Sequence, residues 1–141
     1  MDILEFPSHF PPTEKWKKFF IGVRWLGPDL SFFNSLKQIQ AARSIADMSQ
    51  WGGGERQILA EKISRILHKQ LGWRTPIFVP QDVATVSFYG PSFGIIDADI
   101  AFDDMVKMLG KDYSLAPTIS FWESMANSTL GELIDGLLAL R

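Results

Sequence analysis

Leu59, Ile63, Ile66, Leu67 and Leu71 recur at helical spacing between three consecutive glycines, Gly52, Gly53 and Gly54, and a fourth, Gly72. This pattern constrains the chain more than any other. A helix over 55–71 carries one apolar stripe and cannot hide it alone. Another layer of structure must cover it. Glu61 and Arg65 stand four apart, a favourable pair on the polar side. Lys69 suits the negative end of the helix dipole, and Gly72 can close the helix in the left-handed conformation. Upstream, the glycine run is a hinge or a tight turn. Trp73 follows the helix and is expected to pack back on it.

Other segments supply the cover. Residues 31–49 read as a helix with Leu36, Ile39 and Ala46 on one side. Residues 99–109 read as another, capped by Asp97 or Asp99, with Ala101, Met105, Met108 and Leu109 inward and Gly110 ending it. Ser120-Phe121-Trp122-Glu123 has capping-box spacing and predicts a short helix over 120–127. Thr129-Leu130-Gly131-Glu132 is a second box, opening a helix striped by Leu130, Leu133, Ile134, Leu137 and Leu138. Two stretches leave helix and strand both open. Over 13–26, Thr13 can cap a helix with Trp16, Phe19, Phe20 and Val23 on one face, yet 19–26 is also rich in strand formers and holds Gly22. Residues 83–89 fit a short strand or an apolar loop. The fold expected is mainly α: a small helical bundle with one or two short strands at most. Residues 55–141 form the bundle and 1–54 a helical extension packed on it, as one domain of 141 residues.

Charge is distributed unevenly. Residues 1–74 carry eleven Lys/Arg against seven Asp/Glu, a balance of +4; residues 75–141 carry three against nine, a balance of −6. Either the halves pair internally, or one face steers a charged partner. Nucleic-acid binding is not expected of a chain with net charge −2. The start, MDILEFPSHFPPTEK, is acidic and proline-broken where a signal peptide would be basic and apolar. Its nearest apolar run, Phe19 to Val23, is far short of the ~20 residues of a membrane span. A cytoplasmic setting without membrane contact is the expectation. The absence of cysteine excludes disulfides, thiolate metal sites and cysteine nucleophiles.

Motifs for chemistry are thin. Gly90-Pro91-Ser92-Phe93-Gly94 matches the nucleophile-elbow pattern, but His9 and His68 are the only histidines and both precede it. A small hydrolase using Ser92 is the weakest reading. Asp97, Asp99, Asp103 and Asp104 invite a metal, yet the calcium-loop places for an oxygen ligand and a glycine hold Ala101 and Phe102. His68 sits in a helix with no carboxylate placed to orient it. The glycine run at 52–54 lacks the residues of a phosphate loop. Neither cofactor nor metal is expected. Of Trp16, Trp25, Trp51, Trp73 and Trp122, most are core material, with one or two left to anchor a partner.

From about residue 55 to 140 the order of features resembles an acyl carrier protein: a long helix over 55–71, a loop over 72–97, a second helix opening Asp97-Ala98-Asp99-Ile100, a short third, and a last helix opening Ser128-Thr129-Leu130-Gly131-Glu132-Leu133. The resemblance implies a four-helix carrier fold that docks on enzymes. The serine that bears phosphopantetheine in that family is matched by Ala98, which cannot form the phosphodiester. The overall type is also similar to small bacterial immunity proteins, which neutralise toxins by binding them. The function expected is therefore non-enzymatic protein binding, of the immunity or antitoxin kind, with a carrier-like docking module as the alternative. Asp97, Asp99, Asp103, Asp104 and Trp122 are the expected contact residues for a basic toxin or an enzyme. Exposed tryptophan also leaves room for a homodimer.

Overall fold

The structure is a computed structural model that describes residues 2–5, 30–91 and 95–141. The expectation for 13–26, with Trp16 and Trp25, lies outside the described residues, as do His9 and Ser92. The described chain is a mainly helical bundle. In order it forms α1 (Leu30–Ala41), a 3₁₀ helix (Ile45–Trp51), α2 (Gly54–Leu71), α3 (Ala84–Tyr89), α4 (Ile95–Tyr113), α5 (Ile119–Ser124) and α6 (Leu130–Ala139).

Helix α2 is the centre, because its apolar stripe is covered from several sides. Leu59, Ile63, Leu67 and Leu71 are buried, and α4 lies along them with Ala101, Met105 and Leu109 inward. Helix α6 adds Leu130, Leu133, Ile134 and Leu137, and the 3₁₀ helix closes the remaining side with Met48 and Trp51. Leu4 and Leu36 join the same core, so the described parts of 1–54 share one interior with the bundle. Trp51 and Trp73 are both buried, and each indole N–H donates to a backbone carbonyl, of Phe78 at 2.8 Å and of Ser87 at 3.0 Å. Large aromatic area is buried here with no unpaired donor left behind. Thr129 caps α6 with the expected box, its hydroxyl accepting from the Glu132 N–H. Gly72 closes α2 at φ 76°.

Several boundaries differ from the sequence reading, and each difference has a cause. Residues 31–49 are two helices, not one. The chain leaves α1 after Ala41 so that Arg43 can turn inward, and Ser44 opens the next helix with its N–H donating to the Asp47 carboxylate at 2.8 Å. Ser44-Ile45-Ala46-Asp47 is a capping signal that the sequence held and the helical stripe masked. Ala46 is consequently exposed. Residues 84–89 form a helix rather than a strand; among the described residues extended pairing is confined to the bridge of Val83 with Thr129. Burial of Ala84 and Val86 against α2 and α4 outweighs the strand preference of Val and Phe. Helix α4 starts at Ile95, so Asp97 and Asp99 lie within its first turns instead of capping it. It also runs past Gly110, because Asp112 and Tyr113 dock on α2 through Lys62, and only then does Ser114 (φ 55°) turn the chain so that the Leu115 N–H meets the Leu109 carbonyl. Thr118, not Ser120, caps α5. Glu61 does not pair with Arg65: its carboxylate accepts from Gln57, and Arg65 Nε turns to the Glu61 carbonyl.

One polar cluster ties the periphery to the bundle. Asp82 is fully buried and accepts from Arg43 at both oxygens (2.6 Å each), from the Leu4 N–H (2.9 Å) and from the Val79 N–H (2.9 Å). Arg43 also donates to the carbonyls of Ile77 and Asp2. Beside it, buried Gln40 donates to the carbonyls of Thr75 and Ile77 and accepts from the Thr75 N–H. The 74–83 segment is thereby held in place without regular secondary structure. Removing one member of such a buried pair strands the other's charge. Asp82→Asn and Arg43→Met are each expected to cost about 3–5 kcal/mol in urea unfolding, whereas Asp103→Asn at an exposed pair should cost roughly 0–1 kcal/mol. Equal losses at the buried and exposed pairs would contradict this account.

Helix α6 approaches the 79–82 turn closely. The Gly131 N–H donates to the Pro80 carbonyl at 2.9 Å, and a Cβ on Gly131 would lie 3.0 Å from Pro80 Cβ and 3.1 Å from Pro80 O. Backbone cannot yield as a side-chain tip can. Gly131→Ala is therefore expected to destabilise by about 1–3 kcal/mol in the same unfolding measurement, although alanine is the better helix former.

Candidate functional site

The expected contact residues fall on α4 and α5. At about 100° per residue, Asp97 and Asp104 share one side of α4, and Asp99 and Asp103 share another, roughly 100° or more away. The four aspartates do not form one acidic face. Asp104 leans toward α2 and accepts from Gln70 Nε2 at 2.6 Å. Asp103 points outward and pairs with Lys107 at 3.1 Å. Asp97 and Asp99 are exposed and make no ion pair among the described residues. Of the four, Asp99 is the surface neighbour of Phe102, at i,i+3; Asp103 follows Phe102 in the chain, about 100° further round the helix.

Phe102 is what the sequence reading missed. It is 38% exposed and meets Trp122 edge-on, with centroids 4.9 Å apart and ring planes at 71°. Trp122 in turn meets Phe121 at 5.2 Å and 78°. Such edge contacts add about 0.5–1.5 kcal/mol beyond area burial, so the three rings hold one another in place. Ile119, one turn before Trp122 on α5, is 77% exposed. The available signal was the position of Phe102: it falls outside the Ala101, Met105, Leu109 stripe that buries α4, and so had to face something else.

Beneath the Phe102–Trp122 pair lies a cleft of about 150 Å³. Buried Ala84, Met105 and Leu133 make its floor. Thr85, Phe88 and Met125 join the two rings and Ala126 around its rim. Across this lining the only polar side-chain groups are the Thr85 hydroxyl and the Trp122 indole N–H, and neither has a hydrogen-bond partner among the described residues. Trp122 thus differs from Trp51 and Trp73, whose N–H groups are both satisfied. Among the described residues the unpaired charge around the cleft is negative, from Asp99 on α4 and Glu123 beside Trp122 on α5.

The other chemistry-bearing residues have structural partners. His68 Nδ1 donates to the Trp73 carbonyl at 2.6 Å, fixing the turn after α2. Ala98 sits half-buried in the opening turns of α4, not at its tip. Among the described residues no group of three or more His, Asp and Glu is arranged to hold a metal ion, and no helix is long and apolar enough to cross a membrane. No family model, curated protein or solved structure matches the chain.

Proposed function

We propose that this chain is a non-enzymatic protein-binding module that grips its partner through the α4–α5 face, and that it acts in the cytoplasm as an immunity or antitoxin protein, neutralising a basic toxin by covering it. The observation that carries this reading is the aromatic surface of exposed Phe102 and half-buried Trp122, with exposed Ile119 one turn before Trp122 and Asp99 and Glu123 alongside. Aromatic side chains clustered at a surface and flanked by charge are what interface centres are made of. The acidic rim selects a basic partner and speeds its encounter. Neutralisation by binding needs no reacting group, only an interface placed over the partner's working surface. The contact set proposed is thus Asp99, Asp103, Phe102, Ile119 and Trp122; Asp97 and Asp104 stand apart from it on the other side of α4.

Affinity capture from the native cell, followed by binding kinetics with the captured protein, tests this. Trp122→Ala is expected to weaken binding by about 2 kcal/mol, the size of an interface hot spot. Asp99→Lys combined with Asp103→Lys should slow association and flatten its dependence on salt. Unchanged kinetics in both variants, with folding verified by circular dichroism, would remove the α4–α5 face from the reading.

The order of α2, α4, α5 and α6 favours one alternative, a carrier-like docking module that sits on an enzyme through α4. It would work without a prosthetic arm, since Ala98 offers no hydroxyl for phosphopantetheine. Incubation with a phosphopantetheinyl transferase and labelled coenzyme A is expected to leave the chain unlabelled. Label uptake would place it among true carriers.

A further inference from the structure

We infer that the cleft under Trp122 is a receptor for a single apolar side chain together with its own peptide unit, carried on a segment of the partner that has lysine or arginine next to that side chain. This rests on the protein-binding reading and names what the site takes.

The size of the cleft sets the first term. About 150 Å³ bounded by apolar groups accommodates one group of roughly benzene size, such as a leucine, isoleucine or phenylalanine side chain. It is too small for a helix or a fatty chain. The two unpartnered polar groups set the second. The Trp122 N–H can only donate, and the Thr85 hydroxyl can donate or accept. A peptide unit offers one carbonyl and one N–H, the complement of that pair. A purely apolar ligand would leave both groups desolvated and unmatched, which costs free energy. A few polar groups among the lining of an apolar cleft are the general form of an orienting site. Charge sets the third term. Asp99 and Glu123 carry no ion pair among the described residues, and Asp103 shares its charge with Lys107, so the unpaired charge that the described residues place at the rim is negative. Basic residues flanking the inserted side chain would meet carboxylates rather than one another.

The test uses the full chain, labelled with ¹⁵N, and three acetylated, amidated tripeptides: lysyl-leucyl-lysine, lysyl-alanyl-lysine and glutamyl-leucyl-glutamate. The indole N–H signal of Trp122 is identified by its loss in Trp122→Phe. The leucine peptide with lysines should shift that signal saturably downfield, as a new hydrogen bond to a carbonyl does. Exchanging its lysines for glutamates should weaken binding by about three-fold or more, the effect of a surface ion pair. The alanine peptide should produce no saturable shift. Trp122→Phe and Thr85→Val, both near-isosteric and at the rim, should each weaken binding of the leucine peptide by about two- to ten-fold, read from other cleft signals. Equal binding of leucine and alanine peptides, no effect of Thr85→Val, or saturation by benzene with all three peptides inert would overturn the inference. If the peptides fail but a captured partner still depends on Trp122 and Asp99, the binding role stands and this ligand does not. If the peptides bind as expected while no partner depends on the face, the ligand stands and the cellular role falls.

Discussion

The paired charges of Arg43 and Asp82 fix to one another parts of the chain that lie far apart in sequence. Asp82 gathers the guanidinium and two backbone N–H groups, and Arg43 gathers carbonyls from residues 2 and 77. Through these two side chains the N-terminal strap, the end of α1 and the turn at 79–83 are fixed to one another. The same turn then receives α6, whose Leu130 and Gly131 N–H groups donate to Asp82 and Pro80 carbonyls. A buried ion pair is not a cheap source of stability. Its consequence here is geometric, since a long non-helical segment is held where hydrophobic packing alone would leave many arrangements of similar energy.

Electrostatics elsewhere follow the same logic. Among the described residues, four of five ion pairs join the cation-rich first half to the acidic second half or the reverse: Arg43 to Asp82, Arg56 to Asp135, Lys62 to Asp112 and Arg141 to Glu55. Part of the charge asymmetry of the sequence is therefore paired within the fold. Three of these pairs are partly or well exposed and add little energy individually. What they leave over is informative. Asp97, Asp99 and Glu123 remain without ion-pair partners, and of these Asp99 and Glu123 flank the aromatic surface of α4 and α5.

Little of the candidate site was legible in advance. Trp122 reads as a contact residue because tryptophan is common at interfaces, and it does border the cleft. The aspartates are neighbours in sequence, but helical geometry separates them around α4. Phe102 and Thr85 were invisible as site residues, since one reads as a failed metal-loop position and the other as part of a strand. The cleft exists only because α3, α4, α5 and α6 each contribute a wall. No single segment carries a signal for a space between four.

By itself the sequence determined the helices read at 55–71 and 129–140, their glycine and capping-box ends, the break at 52–54 and the packing of Trp73 back on the bundle. These depend on periodicity and on local hydrogen bonding, which act over a few residues. Only the tertiary structure decided where α1 stops, that 84–89 is helical, that α4 passes through Gly110, and which surface is left aromatic and acidic. Each of those depends on a partner 14 to 50 residues away in the chain. Propensities of a few tenths of a kcal/mol per residue are outweighed when such a contact buries a side chain worth about 1.5–3 kcal/mol.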